Sequence, residues 1–207
     1  MVNSLLLLKG LLIGLSIAMP VGPIGLLCIK RALTRGMAAG LATGLGAATA
    51  DGLYGAVAGF GLAAVSSLLV AQQAPLRLVG GLVLIWLGAA SFRERPAAEA
   101  TAEDRRRSLL ADYTTTVLLT LTNPATIISF AAVFASVGLS ETAASYGAAA
   151  SFVAAVFLGS ALWWIVLSAG VSLARRRLRP GMVRWINRGS GLVLIGFGVS
   201  AWASLLL

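Results

Sequence analysis

The sequence predicts an all-α membrane protein with six transmembrane helices, arranged as two inverted three-helix repeats in one membrane domain, with helices 1 and 4 broken at proline. Three observations carry this reading. Of the 207 residues, 58% are hydrophobic and 11% charged, and the mean hydropathy is +0.93, whereas an average soluble domain has ~25% charged residues. Apolar runs recur at about Leu5–Ile29, Ala39–Val70, Pro75–Phe92, Tyr113–Val137, Tyr146–Leu173 and Gly189–Leu207, each near or above the ~20 residues that cross a bilayer core. Short segments also echo one another: "GLVLIWLG" from Gly81 to Gly88 returns as "GLVLIGFG" from Gly191 to Gly198, 110 residues on, and Met19-Pro20 returns as Asn123-Pro124, 104 residues on. Leu, Val, Ile and Gly are common in membrane helices, so the weight lies in two echoes falling in corresponding spans.

The first span holds "SIAMPVGPIGLLCI" from Ser16 to Ile29, with Pro20, Gly22, Pro23 and Gly25 in mid-run. Proline removes a backbone N–H and clashes with the carbonyl four residues back, and in lipid the freed carbonyl needs a partner. The triplet Ser16-Ile17-Ala18 has the small-x-small form of a cleavage site, but no basic region precedes it and Lys9 interrupts the run, so it is read as uncleaved. The second span carries Gly36, Gly40 and Gly44, then Gly55 and Gly59, at four-residue spacing, a small face for close helix packing. With the third span these make residues 1–92 the first repeat; residues 93–112, rich in charge and alanine, form a cytoplasmic linker; residues 113–207 form the second repeat, whose first span breaks at Asn123-Pro124. In the fifth span the pair Trp163-Trp164 lies away from the interfacial belts and either meets lipid or walls a pocket, while Trp185 and Trp202 read as interface anchors.

Orientation follows from the basic residues. The odd-numbered connections hold Lys30, Arg31 and Arg35, then Arg93, Arg95, Arg105, Arg106 and Arg107, then Arg175, Arg176, Arg177, Arg179, Arg184 and Arg188; the even-numbered ones hold Arg77 alone. Fourteen against one places the odd connections in the cytoplasm and both termini outside, with Lys9 snorkelling to the outer interface. The run Arg175, Arg176, Arg177 and Arg179 also suits anionic lipid headgroups. The net charge of +9 therefore reads as topology signal, with no nucleic acid as partner.

Inverted repeats with broken helices are a transporter architecture whose site lies near the midplane. Non-helical backbone at that depth is tolerated where it lines protein or a water-filled cavity, so both breaks should border one. Asn123 beside the second break can bind a ligand or the freed backbone, and Thr120, Thr122 and Thr126 supply hydroxyls nearby, although threonine often bonds back to its own helix. Asp51 reads as the single acidic residue deep in a span, 16 residues beyond Arg35, or about 24 Å of helix. A charged aspartate at a helix centre costs roughly 2.5–3.5 kcal/mol on insertion scales, so the default is a functional, inward-facing residue; it is assigned proton coupling. The competing structural reading is a carboxyl bonded to a neighbouring helix, through Tyr54 or a freed carbonyl. With no histidine and the single cysteine Cys28, there is no internal disulfide, His-based metal site or cofactor set. No nucleophile–base pair is present either, so the protein is read as a non-enzyme.

Pro20-Val21-Gly22-Pro23, the basic turn from Lys30 to Gly36 and "GLATGLGAATADGLYG" around Asp51 resemble the lysine exporter (LysE/RhtB) family of amino-acid efflux proteins, and Asn123-Pro124 resembles that family's second signature. The likeness covers essentially the whole chain. It departs at Val21, where many members have glycine directly after the first proline. The resemblance implies export of amino acids or related small zwitterionic or cationic metabolites across the bacterial inner membrane, driven by a proton gradient or the membrane potential. It points to Pro20, Gly22, Pro23, Asp51, Asn123 and Pro124 as substrate-binding residues. A passive pore and a non-transporting scaffold docking through Arg175–Arg179 are the competing readings, and a homodimer is admitted as a partner.

Overall fold

The computed structural model describes residues 4–20, 22–60, 71–92, 102–123, 125–130, 145–175 and 180–205, and these are helical apart from short turns and breaks. In chain order the helices are α1 (Ser4–Ala18), α2 (Pro23–Arg35), α3 (Met37–Gly59), α4 (Gln73–Ser91), α5 (Ala102–Leu121), α6 (Tyr146–Arg175) and α7 (Pro180–Ala203), with residues 125–130 also helical. α1 stops before Pro20. α2 starts on Pro23, where a missing N–H costs nothing because first-turn donors have no partner within the helix, and the two helices are bent by 78°. α2 ends at Gly36, whose φ of 97° suits glycine and whose N–H returns to the Ala32 carbonyl.

By length and composition α4 (over Ala74–Ser91) and α6 (over Tyr146–Ala174) are able to cross a membrane, and α1 with α2 makes a third if the bent pair is one span. Gly, Ala and Thr dilute the hydropathy of α3, and charged first turns dilute that of α5. An apolar exterior accompanies them: Leu12, Leu53, Trp86, Leu118, Leu158, Val166 and Leu192 are among the exposed large side chains.

Glycines set the packing. α1 lies parallel to α6: a Cβ on Gly10 would meet Ala155 and one on Gly14 would lie 2.0 Å from the Val156 carbonyl oxygen, while one on Gly159 would lie 2.1 Å from that of Leu11. α3 runs antiparallel to α6, with Gly40 against Ser168, Gly44 against Trp164, Gly52 against Phe157 and Gly55 against Val156. The small face expected on the second span is thus the seat of α6. α3 also lies parallel to α5, with Gly46 against Tyr113 and Thr116 and the Tyr54 hydroxyl donating to the Leu121 carbonyl at 2.7 Å. α4 and α7 cross antiparallel on the echoed segments: Gly81 meets Gly198 and Gly88 meets Gly191, and the contact of Gly88 with Ile195 is matched by that of Gly198 with Ile85.

Two burials go beyond what the sequence predicted. Lys30 and Arg31, counted there among the basic residues of the first connection, are 3% and 4% exposed. The bend at α2 turns them into the bundle, where Lys30 Nζ donates to Ser91 Oγ at 2.6 Å and Arg31 donates to Thr43 Oγ1, Thr116 Oγ1 and the Asp112 carbonyl. Asp51 is joined by a second buried acid: Asp112, placed at the end of the linker, is 3% exposed and its Oδ1 meets Arg31 Nε at 3.0 Å and Arg35 Nη2 at 2.6 Å. The surface cue failed because α5 begins at Ala102, which carries Asp112 three turns into a packed helix.

Candidate functional site

The two breaks meet. A cavity of about 200 Å³ is bordered by Pro20, Gly22 and Pro23 from the α1–α2 break, by Asp51 from α3, and by Asn123, Ala125 and Thr126 at the end of α5 and beyond. Of the residues expected to bind substrate, Pro20, Gly22, Pro23, Asp51 and Asn123 share this one space, and Pro124 lies outside the described residues. Thus the sequence logic that non-helical backbone at mid-span must border a cavity has its geometric counterpart here.

At the first break Gly22 is the N-cap of α2, with no side-chain cap. Ile24 and Gly25 border the cavity, and N–H groups in a first turn have no partner within their own helix; together with the helix dipole they present partial positive charge there. The second break is organised differently. Asn123 Oδ1 accepts a hydrogen bond from the Ala125 N–H at 3.1 Å and its carbonyl accepts from the Ile127 N–H, so of the two fates open to this amide, its oxygen has taken the backbone.

Asp51 is 3% exposed. Ser160 Oγ of α6 donates to its Oδ2 at 2.6 Å, and Trp164 Nε1, one turn on, donates to Ser160 Oγ at 3.1 Å. Among the described residues no other hydrogen bond reaches this carboxyl, and Tyr54 serves Leu121 instead. The relay anchors Oδ2, and Asp51 borders the cavity as a group able to hold an ammonium or a proton. Trp164 is 4% exposed and borders the cavity; with its N–H committed to Ser160, it offers the cavity the indole ring. Gly44 makes this possible, because a Cβ there would come within 2.3 Å of Trp164 Cβ.

The sequence did not find Ser160: nothing local ties a serine on α6 to an aspartate 109 residues away. Trp164 proves to be a pocket wall rather than a lipid contact. Thr120 and Thr126 border the cavity as hydroxyls near the break, whereas Thr122 bonds back to the Leu118 carbonyl. Among the described residues no group of His, Cys, Asp or Glu is arranged to hold a metal ion. Of the arginines assigned to lipid, Arg175 ends α6, while Arg176, Arg177 and Arg179 lie outside the described residues, as does most of the linker's first half.

The profile of the family described as LysE type translocator matches residues 15–204 of the chain. The chain is 28% identical over 196 residues to a Bacillus subtilis (strain 168) protein named "Putative amino acid efflux protein YcgF", covering 92% of each. It is 29% identical over 177 residues to the "Uncharacterized membrane protein YahN" of Escherichia coli (strain K12), covering 80% of this chain and 75% of that protein. No solved structure matches.

Proposed function

Because the chain belongs to the LysE type translocator family, we propose that this multi-pass membrane transport protein is a secondary active exporter of amino acids or related small zwitterionic or cationic metabolites from the bacterial cytoplasm. Export is coupled to the proton gradient or the membrane potential. The observation that carries the reading is the single cavity shared by both helix breaks and Asp51. The substrate carboxylate meets N–H groups at the start of α2, as anions do at helix N-termini. Asp51 holds the substrate ammonium and, once the substrate has left, a proton.

The proposed frame is six spans in two inverted repeats, residues 1–92 and 113–207, joined by a cytoplasmic linker and with both termini outside. Helix directions favour it: α1 and α6 run together, α3 and α5 run together, and α4 opposes α7, as six alternating spans require. The four most extensive pairings are unchanged when α1, α3 and α4 are exchanged for α5, α6 and α7: α1–α6 and α3–α5 change places, and α3–α6 and α4–α7 map onto themselves. On the echoed segments a shift of 110 residues turns the Gly88–Ile195 contact into Gly198–Ile85, the reciprocity a two-fold axis produces. Rocking of one repeat on the other then exposes the cavity to each side in turn.

Counterflow in proteoliposomes tests the function. A carrier loaded with unlabelled substrate accelerates uptake of labelled substrate, whereas a pore does not. Asp51→Asn should abolish the pH dependence of export and reduce its rate; wild-type export at every pH would remove the acid from the mechanism.

A further inference from the structure

We propose that the cavity selects zwitterionic amino acids with short, uncharged side chains, with the Thr120 hydroxyl as a direct substrate ligand on the wall that Asp51 also borders. This rests on the export reading above and narrows its substrate.

Thr120 supplies the first observation. Thr34, Thr43, Thr49, Thr116 and Thr122 each donate back to the carbonyl four residues earlier, which is how a hydroxyl in a membrane helix ordinarily satisfies itself. Thr120 does not. Its Oγ1 is buried with no hydrogen-bond partner, the residue is 4% exposed, and it borders the cavity. An unmade hydrogen bond in a dry interior costs about 1–3 kcal/mol, so a hydroxyl kept in that condition on a cavity wall is one that a ligand completes.

Charge supplies the second. Among the described residues bordering the cavity, Asp51 is the one ionisable side chain; the others are aliphatic, small, hydroxyl or amide groups and the Trp164 indole. An amino acid brings one ammonium, which Asp51 and Thr120 receive, and one carboxylate, which the first turn of α2 receives. That leaves nothing to balance a third charge. A lysine or arginine side chain would add an unpaired cation and a glutamate an unpaired anion, each costly away from water. Size agrees: about 200 Å³ is below the ~300–1,000 Å³ typical of drug-sized sites, and the wall left for the side chain, which includes Ile17, Ala47, Thr126, Ser129 and the Trp164 ring, carries no charge.

The full chain in proteoliposomes is assayed by counterflow with labelled alanine, valine, threonine, lysine, arginine and glutamate. The expected result is saturable counterflow of the first three and a specificity ratio of at least ~100-fold over the charged three. Thr120→Val, which keeps the shape, should raise KM about tenfold while thermal stability stays level or rises, and Thr120→Ser should restore the wild-type KM. Lysine carried within tenfold of alanine would overturn the selectivity while leaving the export reading intact. An unchanged KM in Thr120→Val would remove Thr120 as a ligand. Folded protein that carries none of the six would overturn the selectivity, and the absence of counterflow with the remaining amino acids and small amines as well would sink the export reading itself.

Discussion

Asp112→Asn is the sharpest test of the buried charge cluster. In the native protein Oδ1 of Asp112 accepts from Arg31 Nε at 3.0 Å and Arg35 Nη2 at 2.6 Å. The side chains of Arg31 and Asp112 are both 5% exposed and that of Arg35 is 24% exposed. Removing one partner of a buried pair strands the other charge and typically costs about 3–5 kcal/mol. The Arg35 contact, nearer to solvent, adds ~1 kcal/mol at most. Asparagine keeps an oxygen that can accept from Arg31, and Thr43 Oγ1, Thr116 Oγ1 and the Asp112 carbonyl still accept from its guanidinium, which sets the expectation at the low end, about 3 kcal/mol. For a chain of this size that corresponds to a melting temperature lower by roughly 6–12 °C. The double variant Arg31→Met with Asp112→Leu removes both charges and should lose less than the two single variants added together. Purified protein in detergent, followed by circular dichroism during heating and by titration with a denaturing detergent, provides the measurement. A shift below ~3 °C for Asp112→Asn, or strict additivity in the double variant, would refute the claim that this pair is a buried, coupled unit.

Other outcomes follow from the packing. Gly14→Ala and Gly159→Ala each force a methyl to about 2 Å from a backbone oxygen of the partner helix, so each should destabilise α1 against α6 by ~1–3 kcal/mol in the same unfolding assay. Gly88→Ala and Gly198→Ala meet equivalent atoms, the carbonyl of Gly191 or Gly81 and the Cγ1 of Ile195 or Ile85; their stability losses should agree within ~0.5 kcal/mol if the α4–α7 crossing is two-fold. Cys28 is 0% exposed and should resist a membrane-permeant maleimide until the protein is denatured. That inertness allows a single cysteine at Ser4 or Ser204 to report orientation, and an impermeant maleimide added to whole cells should label both.

Much of the site could be read along the chain. Pro20, Pro23 and the Asn123-Pro124 break announce themselves because a lost N–H and a ring clash act on the local backbone whatever surrounds them. Asp51 announces itself because a carboxyl so far along an apolar run has nowhere inexpensive to sit except an interior. Ser160 carried no comparable mark. Its meaning comes from Asp51 on another helix, as that of Thr120 comes from the absence of a back-bond that its neighbours make. Lys30 and Arg31 misled for the opposite reason: basic residues after an apolar run ordinarily stay at the interface, and only the bend ahead of α2 carries them to Ser91, Thr43 and Asp112.

The order of residues by itself determined the membrane class, the two interruptions and the inward place of one acid, since hydropathy and proline work through the bilayer and the backbone next to each residue. Only the tertiary structure decided that the interruptions open on one cavity, that Asp51 is held by Ser160, itself bonded by Trp164, and that the Thr120 hydroxyl makes no back-bond. Those facts depend on glycines such as Gly14 and Gly44, which bring backbones close enough for groups far apart in the chain to touch, and such meetings leave no trace in either partner's own neighbourhood.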